Sequence, residues 1–227
     1  MLKGKIAVIT GQAGTIGCAA AGIFLEKGAS VILCGSGPET EAAARALAEQ
    51  FPEGKVSGVR TDLSHYAEVE ECMDQIREEF GGIDILVNYA GLSPEEGPDG
   101  DKAKDFKRLM EYNVEAVFNC SRAAAVHMRR QKSGVIVNAG WLAQDAGEEC
   151  WYGYAASGAA VGSLTVSMAK ELKQDGIRVN AVAVGKGACG DAQGIARLFL
   201  FLASSQSSCV TGAVVPAVGW NDVSPRG

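Results

Sequence analysis

Short runs of β-branched residues alternate with longer amphipathic stretches along this chain, and that alternation limits the possible folds more than any other feature. The run Ile6–Ile9 is followed by a glycine-bearing turn and a helical stretch from about Thr15 to Lys27, and the same order then repeats. Strands that alternate with helices in this way form parallel sheets covered by helices. We therefore expect an α/β fold with a doubly wound parallel sheet of about seven strands and helices on both faces.

The predicted elements fill the chain without an internal repeat or a linker, which indicates one domain over residues 1–227. Strands are expected at Ile6–Ile9, Val31–Leu33, Val56–Thr61, Ile83–Val87, Val135–Val137, Arg178–Ala183 and near Val214. Helices are expected at about Thr15–Lys27, Glu39–Phe51, His65–Phe80, from the end of a polar loop Ser93–Gly100 to about Gln131, Tyr152–Gln174 and Asp191–Ser204. Gly28 is expected to cap the first helix, because glycine adopts the left-handed conformation that ends helices.

Charge and hydropathy argue against two classes of partner. The chain carries 21 Lys and Arg against 27 Asp and Glu, a net charge of −6, and has no basic cluster to neutralise a row of phosphates. Its longest apolar runs, such as Leu198–Ala203, are far shorter than the roughly 18 residues that a membrane helix needs. No secretory signal is visible. We expect a cytoplasmic protein that binds neither nucleic acid nor membranes.

Cysteine and histidine spacing predicts no metal site. The seven cysteines are an odd number, are widely spaced and never form a Cys-x-x-Cys pair, so reduced and mostly buried thiols are expected rather than a redox or metal role. His65 and His127 lie far apart, without an acidic or cysteine partner at metal-binding spacing. They are expected at a helix start and on a helix surface, and we assign no metal.

Three glycines mark the turn after the first strand, in the segment Thr10–Gly17. Gly11 allows a tight turn, Gly14 lets the backbone approach a pyrophosphate, and Gly17 lets the helix pack closely on the strand. The helix N-terminus adds free N–H groups and a partial positive charge. The turn therefore predicts either a phosphate site or a plain strand-to-helix connection.

Segments further along the chain favour the phosphate site. Asp62 follows the third strand, Asn88-Tyr89-Ala90-Gly91 follows the fourth, and Asn113 and Tyr154 lie in later helices. With these segments the sequence resembles the short-chain dehydrogenase/reductase family, a Rossmann fold, over nearly its whole length. The resemblance implies that Gly11, Gly14, Ile16 and Gly17 line the cofactor pyrophosphate, that Asp62 and Leu63 hold the adenine, and that Asn88, Ala90 and Gly91 flank the ribose.

The resemblance also implies a reaction, in which a tyrosine phenol exchanges a proton with an alcohol or carbonyl while nicotinamide exchanges a hydride. Tyr154 and Asn113 occupy the family's tyrosine and asparagine positions. The family has a lysine one helical turn after the tyrosine, where its charge lowers the phenol pKa, but this chain has Gly158. The family serine is replaced by Trp141. We therefore expect Tyr154 and Asn113 to be catalytic remnants.

Several positions of the family's cofactor-binding pattern are also changed in this chain. The family's middle glycine aligns with Thr15, the second asparagine of the ribose motif is Tyr89, and the proline after the sixth strand is Val184. The turn Cys34–Gly37 after the second strand offers neither an acid for a ribose 2′-hydroxyl nor an arginine for a 2′-phosphate. The cofactor is NAD or NADP if one binds, and loss of binding stays open.

Two further features bear on activity and on assembly. The segment at about 185–194, where the family inserts a substrate lid, is much shortened, and without a lid water is poorly excluded. The helix that begins near Tyr152 is rich in small residues, including Gly153, Ala156 and Gly162, and in the family this helix joins the preceding long one in a four-helix dimer interface. Close packing on the chain's own sheet is the alternative explanation.

Three hypotheses follow. The first is a non-catalytic subunit that assembles with and supports an active paralogue, as a tetramer-like hetero-oligomer, in an NAD(P)-dependent hydroxyacyl or acyl-CoA dehydrogenase of the alcohol dehydrogenase type. The second is an NAD(P)-dependent oxidoreductase that acts on an alcohol or carbonyl through Tyr154, without the usual lysine and serine, with a homo-oligomer as the alternative assembly. The third is a regulatory module that binds dinucleotide without turnover.

Overall fold

The computed structural model describes residues 1–11, 14–89, 102–141, 152–185 and 191–218, with the backbone alone described for residues 102–105, 141 and 152. The strands are β1 (Ile6–Gly11), β2 (Ser30–Gly35), β3 (Val56–Arg60), β4 (Ile85–Tyr89), β5 (Gly134–Trp141), β6 (Ile177–Val184) and β7 (Val214–Ala217). The α-helices are α1 (Thr15–Glu26), α2 (Glu39–Gln50), α3 (Tyr66–Phe80), α4 (Lys102–Met110), α5 (Ala116–Gln131), α6 (Tyr152–Leu172) and α7 (Ala192–Ala203). The predicted polar loop Ser93–Gly100 lies outside the described residues.

The seven strands form one parallel sheet in the order β3-β2-β1-β4-β5-β6-β7, which confirms the predicted doubly wound α/β fold. The strand order reverses between β1 and β4. In open α/β sheets, ligands bind at the carboxyl ends of the strands beside such a reversal. The site is therefore expected where β1 and β4 end, at Gly11 and Tyr89.

Two hydrophobic layers hold the helices on the sheet. On one face α1, α2 and α7 pack through residues such as Phe24, Leu47 and Phe199. On the other face α3, α5 and α6 pack through Met73, Met128 and Leu172. Strand residues alternate between the layers as the period of two requires, with neighbouring residues of one strand entering opposite layers. Burial on both faces explains why the strands read as continuous apolar runs.

Two features differ from the sequence prediction. The long helix before β5 is broken into α4 and α5 by a π-helical turn, Glu111–Glu115, which contains Asn113. His127 was expected on a helix surface, and that prediction is wrong, since the residue is only 4% exposed. Its Nε2 lies 3.3 Å from Asp74 Oδ1 because α5 packs against α3.

None of the helices within the described parts of the chain is long and apolar enough to cross a lipid bilayer.

Candidate functional site

The two ends of the connection between β1 and α1, Gly11 and Gly14, have features that suit an anion. Gly11 ends β1 with φ +115°, a conformation that side chains with a Cβ rarely adopt. Gly14 is the N-cap residue of α1, which has neither a side-chain cap nor an acidic residue in its first turn. The first N–H groups of the helix therefore point outward with their partial positive charge unshielded. Ile16 and Gly17 are buried beneath the turn.

Gly14 has no packing reason to be glycine. A Cβ added to this exposed residue would meet no atom of the described residues within 4 Å, its chain neighbours aside, and its backbone is extended rather than strained. As far as the described residues show, the space in front of it is open where a pyrophosphate would approach the helix. The residues present at this turn therefore fit the phosphates of a dinucleotide.

Asp62 and Leu63 lie together just after β3, as predicted, but their polar groups are partly engaged. Burial raises the pKa of the Asp62 carboxyl, yet hydrogen bonds from Ser64 and the nearby His65 outweigh that effect and leave the pKa below its usual value. Asp62 Oδ1 accepts bonds from the Ser64 hydroxyl at 2.7 Å and from its backbone N–H at 3.0 Å. The Leu63 carbonyl accepts a bond from Asn119 at 3.1 Å. Asp62 is half-buried and keeps one face toward solvent.

Asn88 lies at the end of β4, but its side chain is fully used inside the protein. Its Oδ1 accepts a bond from the Thr10 hydroxyl at 2.9 Å, and its Nδ2 donates to Ser121 and to Asn138, each at 2.8 Å. Asn138 in turn donates to the Thr165 hydroxyl on α6 at 2.9 Å. This buried polar chain joins β1, β4, β5 and α6, and it leaves the Asn88 amide no hydrogen for a ribose. Ala90 and Gly91 lie outside the described residues.

An acid from the start of α2, Glu39, reaches back to the turn after β2. A Cβ on Gly35 would lie 2.5 Å from the Gly11 carbonyl oxygen, so only glycine fits beside the first turn. A Cβ on Gly37 would overlap the Glu39 carboxylate, which is folded back over this residue. Glu39 was overlooked because it stands two residues beyond the turn, in the first turn of α2.

The structure brings the two predicted remnants together. Tyr154 lies in the first turn of α6, and Asn113 lies in the π-helical turn, a feature often found at functional sites. Asn113 Nδ2 donates to Ser157 Oγ at 3.2 Å, and Ser157 Oγ donates to the Tyr154 carbonyl at 2.7 Å. All three residues are buried, with Tyr154 only 4% exposed. Ser157 thus links the two helices, a contact that no sequence pattern had indicated.

The position of the family lysine is occupied by a packed glycine. Gly158 is buried one helical turn after Tyr154, and its carbonyl oxygen would lie 3.4 Å from a Cβ on Gly140 of β5. Lys170 is the next lysine, sixteen residues after Tyr154 on the same helix and therefore about 24 Å away along its axis. Trp141 ends β5, in register with Val184. The described part of α6 thus places no cation within one turn of the phenol.

Two other departures from the family pattern have structural roles. The Tyr89 ring packs edge-on against Phe199 of α7, with centroids 6.3 Å apart. Val184 is buried and pairs with Ala217 of β7, and Gly185 N–H donates to the Ala217 carbonyl at 2.7 Å. Both substitutions add apolar packing at the carboxyl edge of the sheet.

A groove of about 740 Å³ runs between the α4–α5 segment and α6, away from the carboxyl edge. It is lined by Lys107, Met110, Glu111, Val114, Glu115, Phe118, Ala160, Ser163, Leu164 and Ser167. Phe118 is 41% exposed, while three of the four α6 residues that line the groove, Ala160, Ser163 and Ser167, are small. Two further exposed aromatic residues, Phe106 and Tyr112, lie on the same segment. Large exposed apolar groups beside small ones are typical of a surface that receives another protein.

Among the described residues, no group of three or more histidine, cysteine, aspartate or glutamate side chains is arranged to hold a metal ion.

Comparisons with known proteins agree with the fold. A sequence profile of the family described as short chain dehydrogenase matches residues 5–192. The chain is 40% identical to a 3alpha-hydroxysteroid dehydrogenase of Mediterraneibacter gnavus over 243 residues, covering 96% of this chain and 97% of that protein. It is 32% identical to a 3-oxoacyl-(acyl-carrier-protein) reductase of Thermotoga maritima, covering 94% and 96%. The solved structure of NAD+-bound xylitol dehydrogenase superimposes with a TM-score of 0.85 at 25% identity, covering 96% of this chain and 99% of that one.

Proposed function

The chain belongs to the short-chain dehydrogenase family, and we propose that within it residues 1–227 form one domain that acts as a non-catalytic subunit. In this proposal it assembles with an active paralogue and supports it in an NAD(P)-dependent dehydrogenase. The observation that carries the proposal is the buried Gly158, which stands where a proton-transfer site needs a cation.

The chemical reason lies in the tyrosine. A free phenol has a pKa near 10, so at neutral pH it needs a neighbouring positive charge to exchange protons readily. Glycine provides neither charge nor hydrogen bonds, and Lys170 is about 24 Å distant along α6. Tyr154 is also almost completely covered, and Asn113 is bonded to Ser157. These contacts support a structural role for both remnants.

The segment between β6 and α7 supports the same proposal. β6 ends at Val184 and α7 begins at Ala192, so the connection comprises only residues 185–191. The two curated matches run over 243 and 237 residues, more than the 227 residues of this chain, so those relatives contain residues without a counterpart here. A short connection leaves little chain to close over a substrate and exclude water.

The residues that would bind the dinucleotide, here called the dinucleotide half of the site, match the family pattern more closely than those that would carry out the reaction. When bound, the nicotinamide of NAD or NADP would supply hydride transfer. Gly11, Gly14 and the first turn of α1 would hold its phosphates, with Ile16 and Gly17 beneath them, and Asp62 and Leu63 would lie at the adenine. The Glu39 carboxylate would repel a 2′-phosphate, which favours NAD over NADP.

The partner would dock at the groove between the α4–α5 segment and α6. The small residues Ala160 and Ser163 let a second helix approach closely, and Phe118 provides exposed apolar area. Lys107 and Glu111 on the rim can select a partner by charge. We propose that the corresponding helices of an active family member bind in this groove. Related subunits commonly pair through equivalent surfaces, so that each covers the apolar surface of the other.

The reaction of the complex is proposed from its relatives. The relatives named above are a hydroxysteroid dehydrogenase and a 3-oxoacyl reductase, both of which interconvert a secondary alcohol and a ketone. We therefore propose a hydroxyacyl, hydroxysteroid or acyl-CoA substrate for the paralogue. An arrangement of this kind resembles the dehydrogenase for hydroxy(phenyl)methylsuccinyl-CoA of anaerobic toluene degradation, in which one subunit is catalytic and its relative is not.

The experiment is co-expression of this chain with its paralogue, comparing Ala160→Glu in the groove with Ala46→Glu on the exposed face of α2. Both changes place a carboxylate on a helix, but only the first lies at the proposed interface. We expect Ala160→Glu to weaken the complex at least tenfold and to reduce its turnover in parallel. Equal effects of the two variants would overturn the proposed surface.

A second candidate function is favoured by the link between Asn113, Ser157 and Tyr154. If Tyr154 still transfers a proton, the isolated chain should reduce NAD(P) saturably with an alcohol, and Tyr154→Phe should abolish that activity. In the proposed complex, the same substitution should change turnover less than twofold, while the equivalent change in the paralogue abolishes it. Binding of dinucleotide without turnover in either setting would favour a regulatory module instead.

A further inference from the structure

Two cysteines that are 38 residues apart in sequence meet inside the protein. Cys34 is the penultimate residue of β2, and Cys72 lies in the second turn of α3. Their Sγ atoms are 3.8 Å apart, in hydrogen-bond contact, and the residues are only 1% and 4% exposed. The two thiols are thus held against each other by the packing of a helix on the sheet.

At this separation the two sulfurs are in van der Waals contact. A disulfide has an S–S length of about 2.05 Å, so the two sulfurs must approach by less than about 2 Å to form one. Cys120 of α5 belongs to the same buried layer. Burial raises the pKa of Cys120 to about 12, so this third thiol stays protonated.

The two sulfurs are chemically unequal. The hydrogen-bond contact with Cys34 lowers the pKa of Cys72, burial opposes this effect, and a hydrogen bond with Thr61 lowers the pKa further. The same sulfur contact raises the pKa of Cys34. A thiolate attacks oxidants far faster than a thiol does, so Cys72 is the attacking group and Cys34 the partner that resolves the product.

We propose that Cys34 and Cys72 are a redox modification site, at which a hydroperoxide converts the two thiols into an intrachain disulfide that fastens α3 to β2.

The reaction balances in two steps. The Cys72 thiolate attacks a peroxide oxygen, the O–O bond breaks, and hydroxide leaves while Cys72 becomes a sulfenic acid. The Cys34 thiol then attacks the sulfenic sulfur, the S–S bond forms, and water leaves. Two thiols are oxidised and one hydrogen peroxide is reduced to two waters. A dithiol such as dithiothreitol reverses the change.

The disulfide would lie between two parts of the dinucleotide half of the site. Cys34 precedes Gly35, which packs against the Gly11 carbonyl, and α3 begins after the segment that contains Asp62 and Ser64. Closing a loop of this length restricts the unfolded chain and raises stability. We expect the melting temperature to rise by roughly 5–10 °C on oxidation.

The test treats the reduced, purified chain with hydrogen peroxide, alkylates remaining thiols after denaturation and maps disulfide peptides by mass spectrometry. Mapping is needed because the chain has seven cysteines, of which Cys209 is exposed. The expected result is a Cys34–Cys72 peptide that dithiothreitol removes, together with the rise in melting temperature. The inference is overturned if both cysteines are alkylated while Cys209 is fully oxidised, or if Cys72 pairs with Cys120.

Matched variants test whether Cys72 is oxidised first and Cys34 then attacks the product, even where no disulfide can form. In Cys34→Ser, the Cys72 sulfenic acid has no resolving thiol and should be trapped by dimedone, with no peroxide-induced change in melting temperature. Cys209→Ser should retain both the mapped disulfide and the stabilisation. Equal dimedone labelling of Cys72 in the Cys34→Ser variant and in the wild-type chain would contradict the assigned pair.

Discussion

The turn after β1 and the end of β5 lie two strands apart on the same edge of the sheet, yet they have kept very different features. At the first turn, Gly11 adopts a positive φ and Gly14 leaves open space in front of an unshielded helix N-terminus. Near the second, Gly158 packs beside Gly140, and Tyr154 is covered. The first region leaves room for a ligand, whereas the second is filled by the packing of α6 on the sheet. This difference supports the proposal that the chain binds a dinucleotide but does not itself catalyse the reaction.

The largest expected effect concerns the buried polar chain that joins the two regions. Asn138→Ala removes the acceptor of the Asn88 amide and the donor to Thr165, leaving buried polar groups unpaired. We expect a loss of about 2–4 kcal/mol in the free energy of unfolding, measured in urea. Ser163→Ala, on the exposed face of α6, is the control and should change it by less than about 0.5 kcal/mol. Equal losses of unfolding free energy in the two variants would show that these buried hydrogen bonds do not connect the two regions.

The next effect separates the backbone of the first turn from its ligand. Gly11→Ala forces a Cβ into φ +115° and should destabilise the protein by about 1–3 kcal/mol. Gly14→Ala adds a Cβ that would meet no atom of the described residues within 4 Å, its chain neighbours aside, so stability should be unchanged. If a pyrophosphate lies there, the affinity for NADH falls at least tenfold in a fluorescence titration. An unchanged affinity in Gly14→Ala would remove this turn from the binding site.

The smallest effect arises away from both regions, at His127. Burial lowers the pKa of His127. The Asp74 carboxylate raises this pKa, whereas the positive charges of Arg130 and Arg77 lower it further. A histidine whose pKa is lower in the folded than in the unfolded chain contributes fully to stability at pH values above its unfolded pKa, which is near 6.5. This contribution is lost as the pH falls through the folded-state pKa. We expect the unfolding free energy of His127→Gln to depend less on pH between 7 and 5 than that of the wild type. Identical slopes would assign the dependence to other groups.

The fold was predictable because its signals are local. Each strand is a short apolar run, as both its faces are buried, and the predicted and observed strands agree within a few residues at their ends. The π-helical turn at Asn113 was missed, since an inserted residue in a helix leaves the apolar periodicity almost unchanged. His127 was placed on the surface because its burial depends on how α5 meets α3, which a single helix pattern does not contain.

The sequence names candidate site residues by position, but it does not indicate their contacts. The family resemblance identified Gly11, Gly14, Tyr154 and Gly158 by number, and all four are among the residues that the structure describes. It did not indicate that the Asn88 amide is consumed by Ser121 and Asn138, or that Cys34 meets Cys72. These contacts join elements far apart in sequence, so they follow from the packing of the sheet rather than from spacing along the chain.

The most direct test of the account is native mass spectrometry of the protein gently isolated from its source, with and without added dinucleotide. The account predicts a mixed complex with a paralogous dehydrogenase chain that assembles through the groove beside α6. It also predicts a turnover that depends on the paralogue's tyrosine and not on Tyr154. A homo-oligomer with one cofactor per chain and an alcohol-dependent reduction of NAD(P) that Tyr154→Phe abolishes would contradict the central claim.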